Sequence, residues 1–142
     1  MKNEKKMPRP EHPRPDRLRE DWLNLNGEWE FEFDPGLSGE SRGLATGESK
    51  LARRIAVPFP PESRLSGIGD VDFHPCAWYR RKFQVPREWN GGRVLLNFGA
   101  VDYAARVWVN GVEISGTAVT LKRPEGGGRN APSHQPVHKG GY

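Results

Sequence analysis

The sequence predicts an all-β fold of the sandwich or jelly-roll type, and three observations indicate it. Three short strand patterns follow one another between residues 78 and 114, with no helical repeat between them. An earlier stretch, 28–34, alternates between aromatic and acidic residues, as a half-buried strand does. Turns rich in Gly and Pro separate these segments, and short strands at this spacing are typical of two-layer β-proteins.

The first 17 residues predict a disordered arm ahead of a β-domain over 18–115. The arm contains four prolines, which oppose helices and lack the N–H that a sheet requires: Pro8, Pro10, Pro13 and Pro15. Neither the apolar core of a secretory signal nor a run of membrane-spanning length is visible. We therefore expect a soluble, cytoplasmic protein without a membrane partner.

The first strand is predicted around Trp29, Phe31 and Phe33, which share one face. Its other face carries four acids: Glu28, Glu30, Glu32 and Asp34. Alternate side chains of an extended strand lie ~6.5 Å apart and do not converge on a cation, so a solvated face is the favoured interpretation. Residues 37–50 then predict a long loop, and Ile55 with Val57 marks the next short strand.

Two further strands are predicted after residue 77. From 77 to 85 the apolar Tyr79 and Phe83 alternate with Arg80 and Lys82, as in a half-buried strand. The run 94–98 is short and almost wholly apolar, which suits a strand that is covered on both faces.

A β-hairpin is predicted at Asn110-Gly111, a pair that favours a type I′ turn. In the register set by this turn, Val109 faces Val112 and Val107 faces Ile114, so these four side chains are expected to form a buried face. Trp108 points the other way. It is interpreted as a core residue, with an exposed stacking platform as the alternative.

Composition narrows the function classes. The 142 residues carry a net charge of +4, but the basic residues of the arm alternate with acids, so nucleic acid is not an expected partner. Cys76 is the single cysteine, which rules out an intrachain disulfide.

Residues 116–142 predict a disordered tail, because three consecutive glycines at 126–128 and several prolines interrupt any regular pattern. His134 and His138 are four residues apart, but metal binding at this spacing requires a helix. No metal site and no cofactor are predicted.

Several segments together resemble the N-terminal sugar-binding domain of glycoside hydrolase family 2, which includes β-galactosidases, β-glucuronidases and β-mannosidases. Their order and spacing over 21–114 carry the resemblance: Trp22–Phe31, Val57–Gly67, Trp78–Phe83, Phe98–Tyr103 and Val107–Gly111. The resemblance implies a galactose-binding-like jelly roll ahead of an immunoglobulin-like domain and a catalytic (β/α)8 barrel. It also implies that the sandwich is C-terminally incomplete here, with the family-like sequence HKGGY at 138–142.

The resemblance implies no catalytic residue in this chain. Glycoside hydrolysis uses two carboxyl groups roughly 5 to 10 Å apart across the scissile bond, and in the family both are glutamates of the barrel. No pattern in the sequence places two acids against each other in an apolar pocket. The predicted function is a non-catalytic domain that meets carbohydrate as part of a full-length enzyme.

Candidate substrate contacts lie in the loop before the Trp78-Tyr79 strand. In β-galactosidases an Asn-Pro pair in this loop touches the sugar, and the matching positions are His74 and Pro75. Imidazole can donate to or accept from a sugar hydroxyl, and Asp70 and Asp72 flank His74. The alternative is a surface loop in which His74 caps a strand end.

Two other functions remain open from the sequence. A stand-alone carbohydrate-binding module requires an exposed aromatic such as Trp78 or Trp108. A single-stranded nucleic-acid binder requires aromatic and basic side chains on one face, for which Trp78, Arg80 and Lys82 are candidates.

Overall fold

The fold is a six-stranded antiparallel sheet. A computed structural model describes residues 7–12, 14–101, 104–114 and 133–140. The strands run in the order β2-β1-β3-β6-β4-β5. Their bounds are β1 Gly27–Phe33, β2 Arg53–Val57, β3 Cys76–Phe83, β4 Ala104–Val109, β5 Val112–Ile114 and β6 Ser133–Gly140. In the described residues the remaining regular elements are short 3-10 turns, so the predicted all-β class is confirmed: Pro15–Arg17, Arg64–Ser66 and Arg87–Trp89.

One face of the sheet carries the aromatic residues that the period of two predicts. Trp29 and Phe31 of β1 are buried with Ile55 of β2 and Ala77 of β3. The rings of Phe31 and Tyr79 meet edge to face with centroids 5.0 Å apart, a favourable aromatic geometry. The alternation of β1 therefore forms a core as expected.

The loop 35–50 covers the opposite face. Leu44 and Ala45 of the loop pack against Cys76, Trp78 and Trp108. The two indoles stack with centroids 5.2 Å apart, and Trp108 is 4% exposed, which confirms its interpretation as a core residue. Burial raises the pKa of the Cys76 thiol to about 12, so this cysteine is an inert core residue.

The acidic side of β1 is not the solvated face that the sequence predicts. Glu30 forms an ion pair with Arg80, which is 4% exposed. Glu32 pairs with Arg42 of the loop at 2.6 Å. Asp34 is 2% exposed. The prediction was wrong because the loop and two arginines fold over these acids, and a period of two does not report that contact.

The hairpin has the predicted register but not the predicted burial. Asn110 and Gly111 have φ of 52° and 79°, and Val109 lies opposite Val112. Val112 is nevertheless 66% exposed. In the described part of the chain, the loop 35–50 covers the Trp108 side of the hairpin, so the buried face is the indole face and not the β-branched one.

Two predictions fail because a strand requires neighbouring strands to pair with, which the local sequence does not show. Residues 94–98 form no strand, since no described strand pairs with them, although Leu96 is buried. Ser133–Gly140, expected within a disordered tail, instead lies between β3 and β4 and pairs with both. Local composition argued against a strand here, but two neighbouring strands supply its ladder partners. The rest of the predicted tail, 116–132 and 141–142, lies outside the described residues.

Part of the predicted disordered arm docks on the domain. The side-chain amides of Asn24 and Asn26 both donate to the carbonyl of Arg9 at 3.1 Å, and His12 packs edge-on against Trp22. The same amides also donate to the carbonyls of Pro10 and Pro8 at 3.4 and 3.3 Å, since prolines retain their carbonyl acceptors. Residues 1–6 of the arm lie outside the described residues. Within the described chain, no helix is long and apolar enough to cross a bilayer.

Candidate functional site

The loop between β2 and β3 carries the predicted contact residues, and its backbone is fixed by internal hydrogen bonds. Ser63 caps the turn Arg64–Ser66 by accepting from the backbone N–H of Leu65. The turn ends at Gly67, whose φ of +83° favours glycine. Further along, the N–H of Asp70 donates to the carbonyl of Pro61 at 3.0 Å. These bonds position the segment 70–75.

His74 is half-buried against the end of β1. Its ring stacks on Phe33 with centroids 3.5 Å apart and an interplanar angle of 15°. The buried Nε2 atom lies 3.1 Å from Oδ2 of Asp70, but it lacks the alignment of a hydrogen bond. The contact is therefore an electrostatic one, and Phe33 fixes the plane of the ring.

Asp70 is held as a carboxylate. Its Oδ1 accepts from the backbone N–H of Asp72 at 3.0 Å. This bond, followed by the contact with His74, lowers the pKa of Asp70 below its ordinary value. Asp72 joins the group only through that N–H, and its own side chain is exposed. The structure thus brings together His74 and Asp70, but not the carboxylate of Asp72.

Two residues of this region were missed by the sequence analysis. Phe33 supports His74 from 41 positions earlier in the chain, which no local pattern reveals. Phe73 is 72% exposed beside the His74–Asp70 pair. The position of Phe73 between the polar residues Asp72 and His74 could have indicated a contact residue, since an exposed aromatic next to polar groups is typical of sugar contacts.

The described residues show no arrangement for acid–base hydrolysis. Their clearly shifted carboxyl groups are Asp34, Asp70 and Glu113, and the pKa of each is lowered. A general acid of a glycosidase requires a raised pKa. Glu30 and Glu32 are bound to arginines. The same residues contain no group of three or more His, Cys, Asp or Glu side chains arranged to hold a metal ion.

The geometry disfavours both alternative functions. Trp78 and Trp108 are buried in the core, so neither is a stacking platform. Arg80 is buried in its ion pair with Glu30, so the predicted trio with Trp78 and Lys82 presents no basic aromatic surface to nucleic acid.

Comparisons with known proteins agree with the fold and with the motifs. No protein-family model matches the chain. The β-glucuronidase of Paenibacillus borealis is 33% identical over 108 residues, which cover 70% of this chain and 17% of that enzyme. The β-glucuronidase of Canis lupus familiaris is 33% identical over 111 residues, covering 71% and 16%. The chain thus spans about one sixth of the length of these relatives.

Solved structures show the same fold. The Lactobacillus rhamnosus β-glucuronidase superposes with a TM-score of 0.66 at 27% identity, over 84% of this chain and 21% of that one. A Ruminococcus gnavus β-glucuronidase in complex with a C6-substituted uronic isofagomine gives 0.66 at 23% identity, over the same shares, and supports the fold alone.

Together, the sheet and these matches define the β-sandwich domain of a carbohydrate-active enzyme. The chain belongs to glycoside hydrolase family 2 and corresponds to its N-terminal sugar-binding domain, which confirms the resemblance found in the sequence.

Proposed function

We propose that this chain is the non-catalytic N-terminal domain of a family 2 glycosidase that acts on β-glucuronides. The sequence match to β-glucuronidases carries the proposal. The lowered pKa values of Asp34, Asp70 and Glu113 support a non-catalytic role, because none of these carboxyl groups is tuned to donate a proton at neutral pH. A cytoplasmic location remains a prediction.

In this function the loop 70–75 contacts the sugar. The His74 ring is fixed by Phe33 and has Nε2 beside the Asp70 carboxylate, which leaves Nδ1 for a ligand hydroxyl. Asp70 and Asp72 provide oxygen acceptors for hydroxyl groups at the same edge. The partner domains are the immunoglobulin-like domain and the barrel of such an enzyme, and the barrel supplies the two reacting carboxyl groups.

A chimeric enzyme tests this role. The region matched by this chain replaces its counterpart in the Paenibacillus borealis β-glucuronidase, and hydrolysis of 4-nitrophenyl β-D-glucuronide is measured with and without His74→Ala. We expect His74→Ala to raise KM about fivefold, the value of one lost hydrogen bond of ~1 kcal/mol. The matched control, His12→Ala, removes an imidazole from the arm and leaves KM unchanged.

Two results would contradict the proposal. Equal KM values for the His74→Ala and His12→Ala chimeras would show that the loop 70–75 does not contact the substrate. Turnover of the glucuronide by the isolated 142-residue chain, absent from a mock purification, would contradict its non-catalytic role.

A further inference from the structure

The sheet splits between β1 and β3 at one end. Their ladder runs from Phe33 opposite Ala77 to Glu30 opposite Arg80 and stops there. Both strands continue beyond that point, β1 back to Gly27 and β3 on to Phe83. A cleft of about 240 Å³ lies at this end of the sheet and has a charged lining: Glu28, Glu30, Arg54, Arg80, Arg81 and Lys82.

The two acids of the cleft are matched by two of its cations. Glu30 pairs with Arg80 and lies 3.3 Å from Nη1 of Arg54. Glu28 lies 3.9 Å from Nε of the same Arg54. These contacts account for the negative charge of the lining and leave Arg81 and Lys82 as its excess positive charge.

Arg81 is a partly buried cation of the cleft. Its Nη1 donates to the backbone carbonyl of Glu28 at 3.1 Å, across the split. Its Nε is buried and finds no hydrogen-bond partner among the residues that the structure describes. Within the described part of the chain, neither Arg81 nor Lys82 has a carboxylate in ion-pair contact. Partial burial lowers the pKa of Arg81, but a guanidinium stays charged at neutral pH, and a partly buried charge is stabilised by a counter-charge.

We propose that this cleft binds a small oxyanion, a carboxylate or a phosphate group, through the guanidinium of Arg81 with the ammonium of Lys82 at its rim. A guanidinium presents parallel N–H donors that match two oxygens of one anion. The site goes beyond the proposed function. It lies at the far end of β3 from His74, on the order of 20 Å along the strand.

The test is a titration of the intact 142-residue chain at constant ionic strength and neutral pH. Inorganic phosphate, D-glucuronate and uncharged D-glucose are added in separate arms, and the Nε–H resonance of Arg81 is followed by NMR. We expect saturable shifts with an anion and none with glucose. Shifts with glucuronate identify a carboxylate ligand, and shifts with phosphate alone identify a phosphoryl group.

Matched variants assign the site. Removing one charge-assisted contact should weaken binding about tenfold or more for Arg81→Gln, measured by calorimetry. Lys82→Gln should weaken it severalfold. Arg64→Gln removes the same charge from an exposed position outside the cleft and should leave binding within a factor of about two.

The proposal is overturned by no saturation with either anion up to about 100 mM, a limit of weak binding. Equal weakening by Arg64→Gln, or equal binding of glucose and glucuronate, overturns it as well. Near-UV circular dichroism checks each variant for folding. If Arg81→Gln does not fold, Lys82→Gln decides, and unchanged binding by that variant overturns the site.

Discussion

Asp34 fastens the loop 35–50 to the sheet. Its carboxylate accepts from the backbone N–H groups of Ser38 and Gly39 at 3.0 and 2.7 Å, and from Nε1 of Trp78 at 2.9 Å. Burial opposes ionisation, but these hydrogen bonds outweigh it and lower the pKa of Asp34 below the ordinary 3.8. The ionised carboxylate of Asp34 therefore links the loop 35–50 directly to the core residue Trp78.

The lowered pKa of Asp34 predicts a loss of stability in acid. A depressed folded-state pKa contributes stability above the unfolded value of 3.8, and this contribution disappears as pH falls through the folded value. Asp34→Asn keeps the shape of the side chain but places an amide NH₂ against the N–H donors that the carboxylate accepted from. We expect this variant to lose about 1 to 3 kcal/mol of its free energy of unfolding at pH 7. Urea unfolding between pH 7 and pH 3 should show a flatter pH dependence for the variant.

The control for this prediction is Asp72→Asn, which changes an exposed carboxylate of the same type. It should shift the urea midpoint little at any pH. A pH dependence in Asp34→Asn as steep as in the parent chain would assign the acid sensitivity to other groups.

Gly39 allows the loop to approach Trp78. A Cβ atom at this position would lie 2.1 Å from Nε1 and 2.3 Å from Cε2 of the indole, which is itself held in the core. Gly39→Ala must therefore push the loop or the indole away. We expect a loss of about 1 to 3 kcal/mol, the usual cost of overpacking a core, measured by urea unfolding followed through tryptophan fluorescence.

Gly99→Ala is the matched substitution, since a Cβ there meets nothing within 4 Å. It should leave the unfolding midpoint nearly unchanged. Equal midpoints for the Gly39 and Gly99 variants would show that the loop yields without cost, and that it does not constrain Trp78.

Some strands can be predicted from their local sequence, and others depend on their pairing partners. β1 and the hairpin of β4 and β5 follow from local patterns, because alternation and the Asn110-Gly111 turn specify strands and register without reference to the rest of the chain. β6 does not, since a segment containing Pro136 becomes a strand only between two partners. Residues 94–98 are the converse case, an apolar run with no described partner.

The same division holds for the candidate sites. His74 and Asp70 lie four residues apart, and the sequence places them in one loop. The stacking of Phe33 on His74 joins residues more than 40 positions apart, and so does the hydrogen bond from Arg81 to the carbonyl of Glu28. Such contacts depend on strand order, which the local patterns do not determine.

Strand β6 joins the two halves of the molecule. One half is the β2-β1-β3 sheet, and the other is the hairpin of β4 and β5. β6 pairs along the length of β3 and with residues 104–107 of β4. Across the covered face, the halves also meet through the stacked Trp78 and Trp108, and through the ion pair of Arg106 with Glu40 of the loop.

Removing β6 should therefore separate the halves rather than unfold the whole chain at once. In a chain that ends at residue 132, we expect the hairpin to lose amide protection in hydrogen exchange while β1 and β2 retain theirs, because the β1–β2 ladder does not involve β6. A chain ending at Gly140 keeps the strand and serves as the control. Unchanged protection of residues 104–109 in the shorter chain would show that the Trp78–Trp108 contact and the Arg106–Glu40 ion pair hold the hairpin without the strand.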